Sequence, residues 1–253
     1  MESYRYFIQL AYNGTGFHGW QIQPNAHTVQ AEIQHALKIL LGESLLLTGA
    51  GRTDTGVHAR TFFAHFDTQL LMGKPELLQL VYKLNRFLPQ SINIYEIFRV
   101  QPDFHSRFSA ISRTYRYYIS RQKDPFSNGL AWIYTTNLDD TAMQEAAGVI
   151  KAYTDFTCFS KTRTQTKTND CEIFESYFES NGALLIYHVK ANRFLRNMVR
   201  AIVGTLIEVG KGNIGIEEFK TIIENGTRSD AGMSVPACGL FLEEIEYPQG
   251  IRL

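Results

Sequence analysis

Gly49-Ala50-Gly51-Arg52-Thr53-Asp54-Thr55-Gly56-Val57-His58-Ala59 is the stretch on which the reading of this chain turns. Before it, Leu45 to Leu47 is a short apolar run, and Ser44 to Thr48 is expected to form a strand. After it, Thr61 to Phe66 has the same character. Gly49, Gly51 and Gly56 crowd the turn between them, which implies unusual backbone angles or the close approach of other atoms. Two readings fit Asp54. It can be a turn residue bonding its own backbone, or a carboxylate presented for chemistry, with Arg52 two positions away able to keep it ionised.

The surrounding elements follow by pattern. Tyr4 to Tyr12 alternates as a strand. Thr28 can cap a helix to about Leu41, with Val29, Ile33, Leu37 and Leu40 as its apolar stripe and Gly42 as its stop. Pro75 opens a helix through about Asn85 with Leu77, Leu78, Val81 and Leu84 inward, and Ser91 to Val100 is a strand. The second half repeats that order. It has a strand from Thr114 to Ser120 and a helix from about Asp140 to Tyr153. A hairpin turns at Asn181-Gly182, and helices span Phe194 to Val209 and Ile216 to Asn225. Gly239 to Glu246 is the last strand.

The expected fold class is therefore α+β, built from two ferredoxin- or RRM-like βαββαβ halves, residues 1–103 with the Asp54 loop and residues 104–253 with a basic surface. No Pro- or Ser-rich linker separates them. Packed together they would form a largely antiparallel sheet with a central active-site cleft.

Bulk properties narrow the function. With 253 residues, 44% hydrophobic and 20% charged, the chain can bury a core and is not disordered. No apolar run reaches membrane-spanning length, and no secretory leader is read at the start, so a cytoplasmic protein without a membrane partner is expected. Cys158, Cys171 and Cys238 are scattered and read as reduced thiols; neither they nor the 7 histidines have metal-ligand spacing. Net charge is zero, yet three windows carry basic residues without acids. They are Phe104 to Lys123, Phe156 to Asn169 (Lys161, Arg163 and Lys167) and Tyr187 to Gly204. Gathered on one face they would bind a polyanion; separately they are solvated faces.

Single motifs need their context. Gly210-Lys211-Gly212-Asn213-Ile214-Gly215 has dinucleotide-loop spacing but follows a helix, so it reads as a helix stop. Asp54-Thr55-Gly56 is the aspartic-protease triplet, but there is no second copy and the pattern is not all-β. Arg113-Thr114-Tyr115-Arg116-Tyr117-Tyr118 puts cations and aromatics on both faces of one strand, suited to bases and phosphates or to a cross-strand ladder. Arg193, Arg196 and Arg200 have the spacing of one basic stripe on the Phe194 helix.

Taken together, these tracts resemble the bacterial tRNA pseudouridine synthase A family. Ala50 to Ala59 is similar to its AGRTD-x-GVHA signature, Phe104 to Ala110 to its FHARFSA tract, and Arg113 to Tyr117 to its R-x-Y-x-Y tract. Tyr12-Asn13-Gly14, Gly19-Trp20-Gln21, Asp155 to Phe159, Asn197 to Gly204 and Pro236 to Leu240 match further segments in order. Thr55, Ser106 and Cys158 depart from it mildly. The resemblance implies the pseudouridine-synthase fold and isomerisation of uridines 38 to 40 in the tRNA anticodon arm. It implies Asp54 as nucleophile at C1′ or C6, Arg52 in base extrusion, Tyr115 stacking on the flipped base, and Arg200 paired with the aspartate. His58, Arg107, Arg113, Arg116, Arg193 and Arg196 join Tyr115 as the expected RNA contacts. It implies no metal or organic cofactor and a homodimer in which each tRNA touches both subunits. The competing class is a non-catalytic RNA-binding protein of two RRM-like halves.

Overall fold

Alternation sets the first strand, and a computed structural model describing residues 3–161 and 168–253 shows what it packs against. β1, Tyr4–Tyr12, buries Tyr6, Ile8 and Leu10 on one side. Its other side is not left to solvent: Phe7 stacks on His65 and meets the rings of Phe98 and Tyr247. Contacts divide the chain into two units, Met1–Ile111 with Leu242–Leu253, and Ser112–Phe241.

In the first unit α1, Val29–Leu41, has both ends written in its sequence. Thr28 Oγ1 accepts from the Ala31 N–H, and Gly42, at φ +74, donates its N–H to the Lys38 carbonyl. β2 (Thr48–Gly49), β3 (His58–Thr68), α2 (Lys74–Phe87) and β4 (Ile92–Val100) follow. β1 lies between β3 and β4, antiparallel to both, and β2 pairs with β3. Two expectations are corrected here. Ser44 to Leu47 is not a strand, because α1 side chains take the backbone groups of Leu47: Gln30 Nε2 donates to its carbonyl at 2.6 Å and its N–H donates to Gln34 Oε1 at 3.1 Å. In α2 the inward residues are Leu77, Leu80 and Leu84, while Leu78 is 62% exposed.

The second unit runs β5 (Ser112–Ser120), β6 (Trp132–Ile133), α3 (Asp140–Val149), β7 (Ile173–Asn181), β8 (Leu184–Ala191), α4 (Met198–Gly210) and α5 (Ile216–Asn225). β8 lies between β5 and β7, antiparallel to both. The β7–β8 hairpin turns at Gly182, φ +59, as Asn181-Gly182 predicts. α3 gives way to a 3-10 turn at Ile150–Ala152, short of Tyr153. α4 is buried nearly all round. β6 pairs parallel with β5; the other register-matched pairs are antiparallel, so the molecule is α+β with a largely antiparallel sheet. The last strand, β9, is Leu240–Glu246.

Candidate active site

The Asp54 loop is held from beneath by backbone. Val57 N–H donates to the Asp54 carbonyl at 3.1 Å, closing a turn whose third residue, Gly56, has φ +78. Trp20 N–H donates to the Thr53 carbonyl and Gly56 N–H to the Phe17 carbonyl, both at 3.3 Å. Tyr12 Oη and Thr53 Oγ1 are 2.9 Å apart. The fit leaves no room for side chains. A Cβ on Gly14 would lie 2.0 Å from the Val57 carbonyl oxygen, and one on Gly19 would lie 2.3 Å from that of Thr53. Gly49, where the loop begins, lies against the Trp20 indole, 2.3 Å from where its own Cβ would be. Of the motif's own glycines, Gly49 meets the Trp20 indole and Gly56 bonds the Phe17 carbonyl, while a Cβ on Gly51 would meet nothing within 4 Å; Gly14 and Gly19 press on the motif from the Tyr12 to Trp20 tract.

On this base Asp54 is half-buried and Arg52 exposed. His58 is 1% exposed, and its Nδ1 accepts the Gly14 N–H at 3.0 Å, so its imidazole fixes the loop from below. Arg107 is exposed in the loop after β4, its guanidinium 5.4 Å from the Phe108 ring centre.

In the second unit β5 carries Arg113, Tyr115 and Arg116, each half-buried. Arg113 Nη1 donates to the Asn192 carbonyl at 2.8 Å, and Arg116 Nε to His188 Nδ1 at 3.2 Å. His188 is in turn 3.1 Å from Glu179 through Nε2 and stacks on Tyr177. The Tyr115 ring meets that of Phe194 edge-on at 5.0 Å, which fixes its plane. The neighbouring Tyr117 is not available: it is fully buried, its hydroxyl donates to the Pro236 carbonyl, and burial holds it far above the usual phenol range.

The single basic stripe is overturned. α4 begins at Met198, so Arg200 is on the helix and Arg193 and Arg196 precede it. Asn197 explains the break: it sits at φ +67, with Nδ2 donating to Ser234 Oγ at 2.6 Å, and helical phase is lost there. Arg193 Nη2 donates to the Thr168 carbonyl, and the Arg196 carbonyl accepts from Lys161 N–H. Arg200 Nε donates to the Val235 carbonyl at 2.7 Å, and Val235 N–H returns to the Arg200 carbonyl at 3.2 Å. No local pattern foretells Val235 as its partner, 35 residues on. Of the basic residues in the Phe156 to Asn169 window, Arg163 and Lys167 lie outside the described residues.

Burial pushes the Cys158 thiol up to about 12 and the Cys171 thiol to about 11, which makes them inert at neutral pH. Among the described residues no His, Cys, Asp and Glu cluster could hold a metal ion, and no helix is long and apolar enough to cross a membrane.

A family profile described as tRNA pseudouridine synthase matches residues 153–248. A protein of Parabacteroides distasonis named tRNA pseudouridine synthase A is 50% identical, the match covering 97% of this chain and 96% of that one. Namesakes from Bacteroides fragilis and Porphyromonas gingivalis are each 47% identical, covering 99% and 98% of this chain and 99% of each of theirs. The chain belongs to the tRNA pseudouridine synthase A family.

Proposed function

We propose that this chain isomerises uridine to pseudouridine in tRNA, at nucleotides 38–40 of the anticodon arm, with Asp54 as the nucleophile. Family membership carries the reaction class: the protein is a tRNA-modifying isomerase. The observation that carries the residue is the Asp54 loop, a carboxylate on a turn whose backbone is clamped by close-packed glycines. Such rigidity is what a nucleophile needs to meet a flipped base without reordering.

The chemistry balances within the substrate. Asp54 adds to the uridine at C1′ or C6, and the N1–C1′ bond breaks. The uracil turns, C5 bonds to C1′, the C5 proton leaves, N1 gains one, and the carboxylate is released. Arg52, exposed beside the aspartate, is assigned to filling the place of the extruded nucleotide, whose unstacking costs a few kcal/mol. Tyr115 is assigned to stacking on the flipped uracil and receiving the proton, and Arg200 to pairing with the Asp54 carboxylate. Arg107, Arg113, Arg116, Arg193 and Arg196 are assigned to the RNA backbone. The strand neighbours in each unit suit two ferredoxin-like halves. A homodimer working in the cytoplasm belongs to the same reading.

Tritium release from unmodified tRNA transcripts labelled at uridine C5 tests it, with native protein beside Asp54→Ala. Release from nucleotides 38–40 that requires Asp54 is expected. Absence of release with tRNA binding intact would favour a non-catalytic RNA-binding protein, or another target uridine.

A further inference from the structure

Phe108 is 75% exposed. A single exposed phenylalanine is ordinary on a protein surface; this one differs in what lies under and beside it. The loop beneath is pinned at several points. Arg5 Nη1 donates to the carbonyls of Pro102 and Phe104 at 2.8 and 2.9 Å. His105 and Ser109 exchange two hydrogen bonds, His105 N–H to Ser109 Oγ and Ser109 N–H to the His105 carbonyl, both at 2.9 Å. His105 Nδ1 accepts from the N–H groups of Arg107 and Phe108. Ser106, fully buried, places Oγ 2.8 Å from His65 Nδ1 and 2.9 Å from the Thr48 carbonyl, and the Tyr247 hydroxyl donates to its carbonyl. Burial holds the His105 imidazole below its usual range, which keeps Nδ1 an acceptor at neutral pH.

The ring is thus presented, not merely left outside. The His105 ring lies 4.5 Å from it, tilted by 39°, and the Arg107 guanidinium sits 5.4 Å from its centre. No acidic residue occurs from Phe104 to Lys123, Asp103 immediately precedes that window, and the nearby Asp67 is paired with Arg5. Through Thr48 the loop is tied to β2, the strand that enters the Asp54 loop. An aromatic face with a cation beside it, on backbone that needs no further ordering, suits an unpaired nucleobase joined to a charged backbone.

We infer that Phe108, with Arg107 beside it, is a stacking platform for an unpaired base of the tRNA other than the one Asp54 attacks. The inference rests on tRNA being the substrate. Its ligand is any base with a free face, so it adds affinity and register more than sequence preference. Ser106 and His105 are its positioning residues.

The test uses the full chain and three variants, Phe108→Ala, Phe108→Leu and Phe108→Trp, with an unmodified tRNA transcript. Loss of one base–aromatic stack weakens tRNA binding and raises KM by roughly 5- to 150-fold, with kcat little changed. Phe108→Leu, which keeps apolar bulk, is expected to fall with Phe108→Ala. Phe108→Trp is expected to bind as the native protein does, its new indole emission quenched by tRNA and not by a fully paired RNA duplex. Native affinity in Phe108→Ala, native affinity in Phe108→Leu, or indole emission that tRNA leaves unmoved would each overturn the platform. If Phe108→Ala melts early, the Leu and Trp pair decides alone. Binding that responds to these variants while native protein releases no tritium would sink the catalytic reading and leave the platform standing.

Discussion

The loop that carries Asp54 and the segment that carries Arg193 and Arg196 are both irregular backbone, yet they are fixed by different means. The first is fixed by exclusion: at Gly14, Gly19 and Gly49 other atoms occupy the place of a side chain. The second is fixed by reach, through Arg193 to the Thr168 carbonyl, Lys161 to the Arg196 carbonyl, and Asn197 to Ser234. Exclusion tolerates almost no change and fixes the backbone beneath Asp54. Reach tolerates change and suits groups that meet a flexible polyanion. The difference matches the roles proposed for the two, a covalent step and backbone binding.

The sharpest way to break that comparison is Asp54→Asn. The amide keeps the shape of the side chain and removes its nucleophilicity, so turnover is expected to fall by roughly 10⁴-fold or more, with tRNA affinity retained. Tritium release at near-native rate would end the assignment of Asp54 and with it the reason for the loop's rigidity. Gly14→Ala tests the rigidity itself. A Cβ 2.0 Å from the Val57 carbonyl must displace backbone on one side. A loss of about 2–4 kcal/mol is expected, read as an earlier urea midpoint, with kcat falling as well. Native stability would show that the contact relaxes cheaply and that exclusion is not what fixes the loop.

Arg200→Ala probes the one basic residue of the expected stripe that α4 does carry. Turnover is expected to drop by about 100-fold, the scale of losing one charged group aimed at the reacting centre, while the melting temperature moves by only a few degrees. A large fall in melting temperature with modest loss of turnover would make the Arg200–Val235 contact the residue's whole purpose.

These contrasts also explain what could be read in advance. Thr28 and Gly42 bound α1 as expected, and Asn181-Gly182 turns its hairpin, because each signal acts on neighbours within a few residues. Asp54 stood out for the same reason, its glycines being local. The failures at Leu47 and at Asn197 involve distant partners. Leu47 leaves the strand state because Gln30 and Gln34 claim its backbone groups. Helical spacing through Arg193, Arg196 and Arg200 is real in the sequence and is cancelled by Asn197, whose left-handed backbone is tied to Ser234. Leu78 points outward although periodicity allowed either face, since only the packing surface decides phase.

A weaker probe lies in the core of the first unit, where His65 supports both the sheet and the Ser106 anchor. Burial pushes its imidazole down to about 4, helped by the charge of Arg5 and by His105, and opposed by Asp67. Because the folded value lies below the ordinary 6.5, the unfolded chain binds the proton first. The stabilisation is complete above pH 6.5 and is lost as pH falls through about 4. The full loss is about 3 kcal/mol at most. Asp67, held below the usual carboxylate range by its bond to Arg5, adds its own loss at still lower pH. Urea midpoints across pH 7 to 4 are expected to decline in native protein and to flatten in His65→Asn, which keeps an acceptor toward Ser106 without the titration. Equal slopes would remove His65 as the source.

The smallest effect falls on the segment fixed by reach. Arg196 is exposed, and the contact with Lys161 uses its carbonyl, so Arg196→Gln leaves that contact in place. If its guanidinium meets one phosphate, the variant binds tRNA a few-fold more weakly, and the slope of log affinity against log salt falls by about 1. Arg193→Gln is the necessary partner experiment, because its guanidinium also donates to the Thr168 carbonyl. It is expected to lose both salt slope and some melting temperature. Two variants that change melting temperature equally and leave the slope untouched would mean that this segment, like the Asp54 loop, is shaped for its own packing, and the contrast between exclusion and reach would no longer follow function.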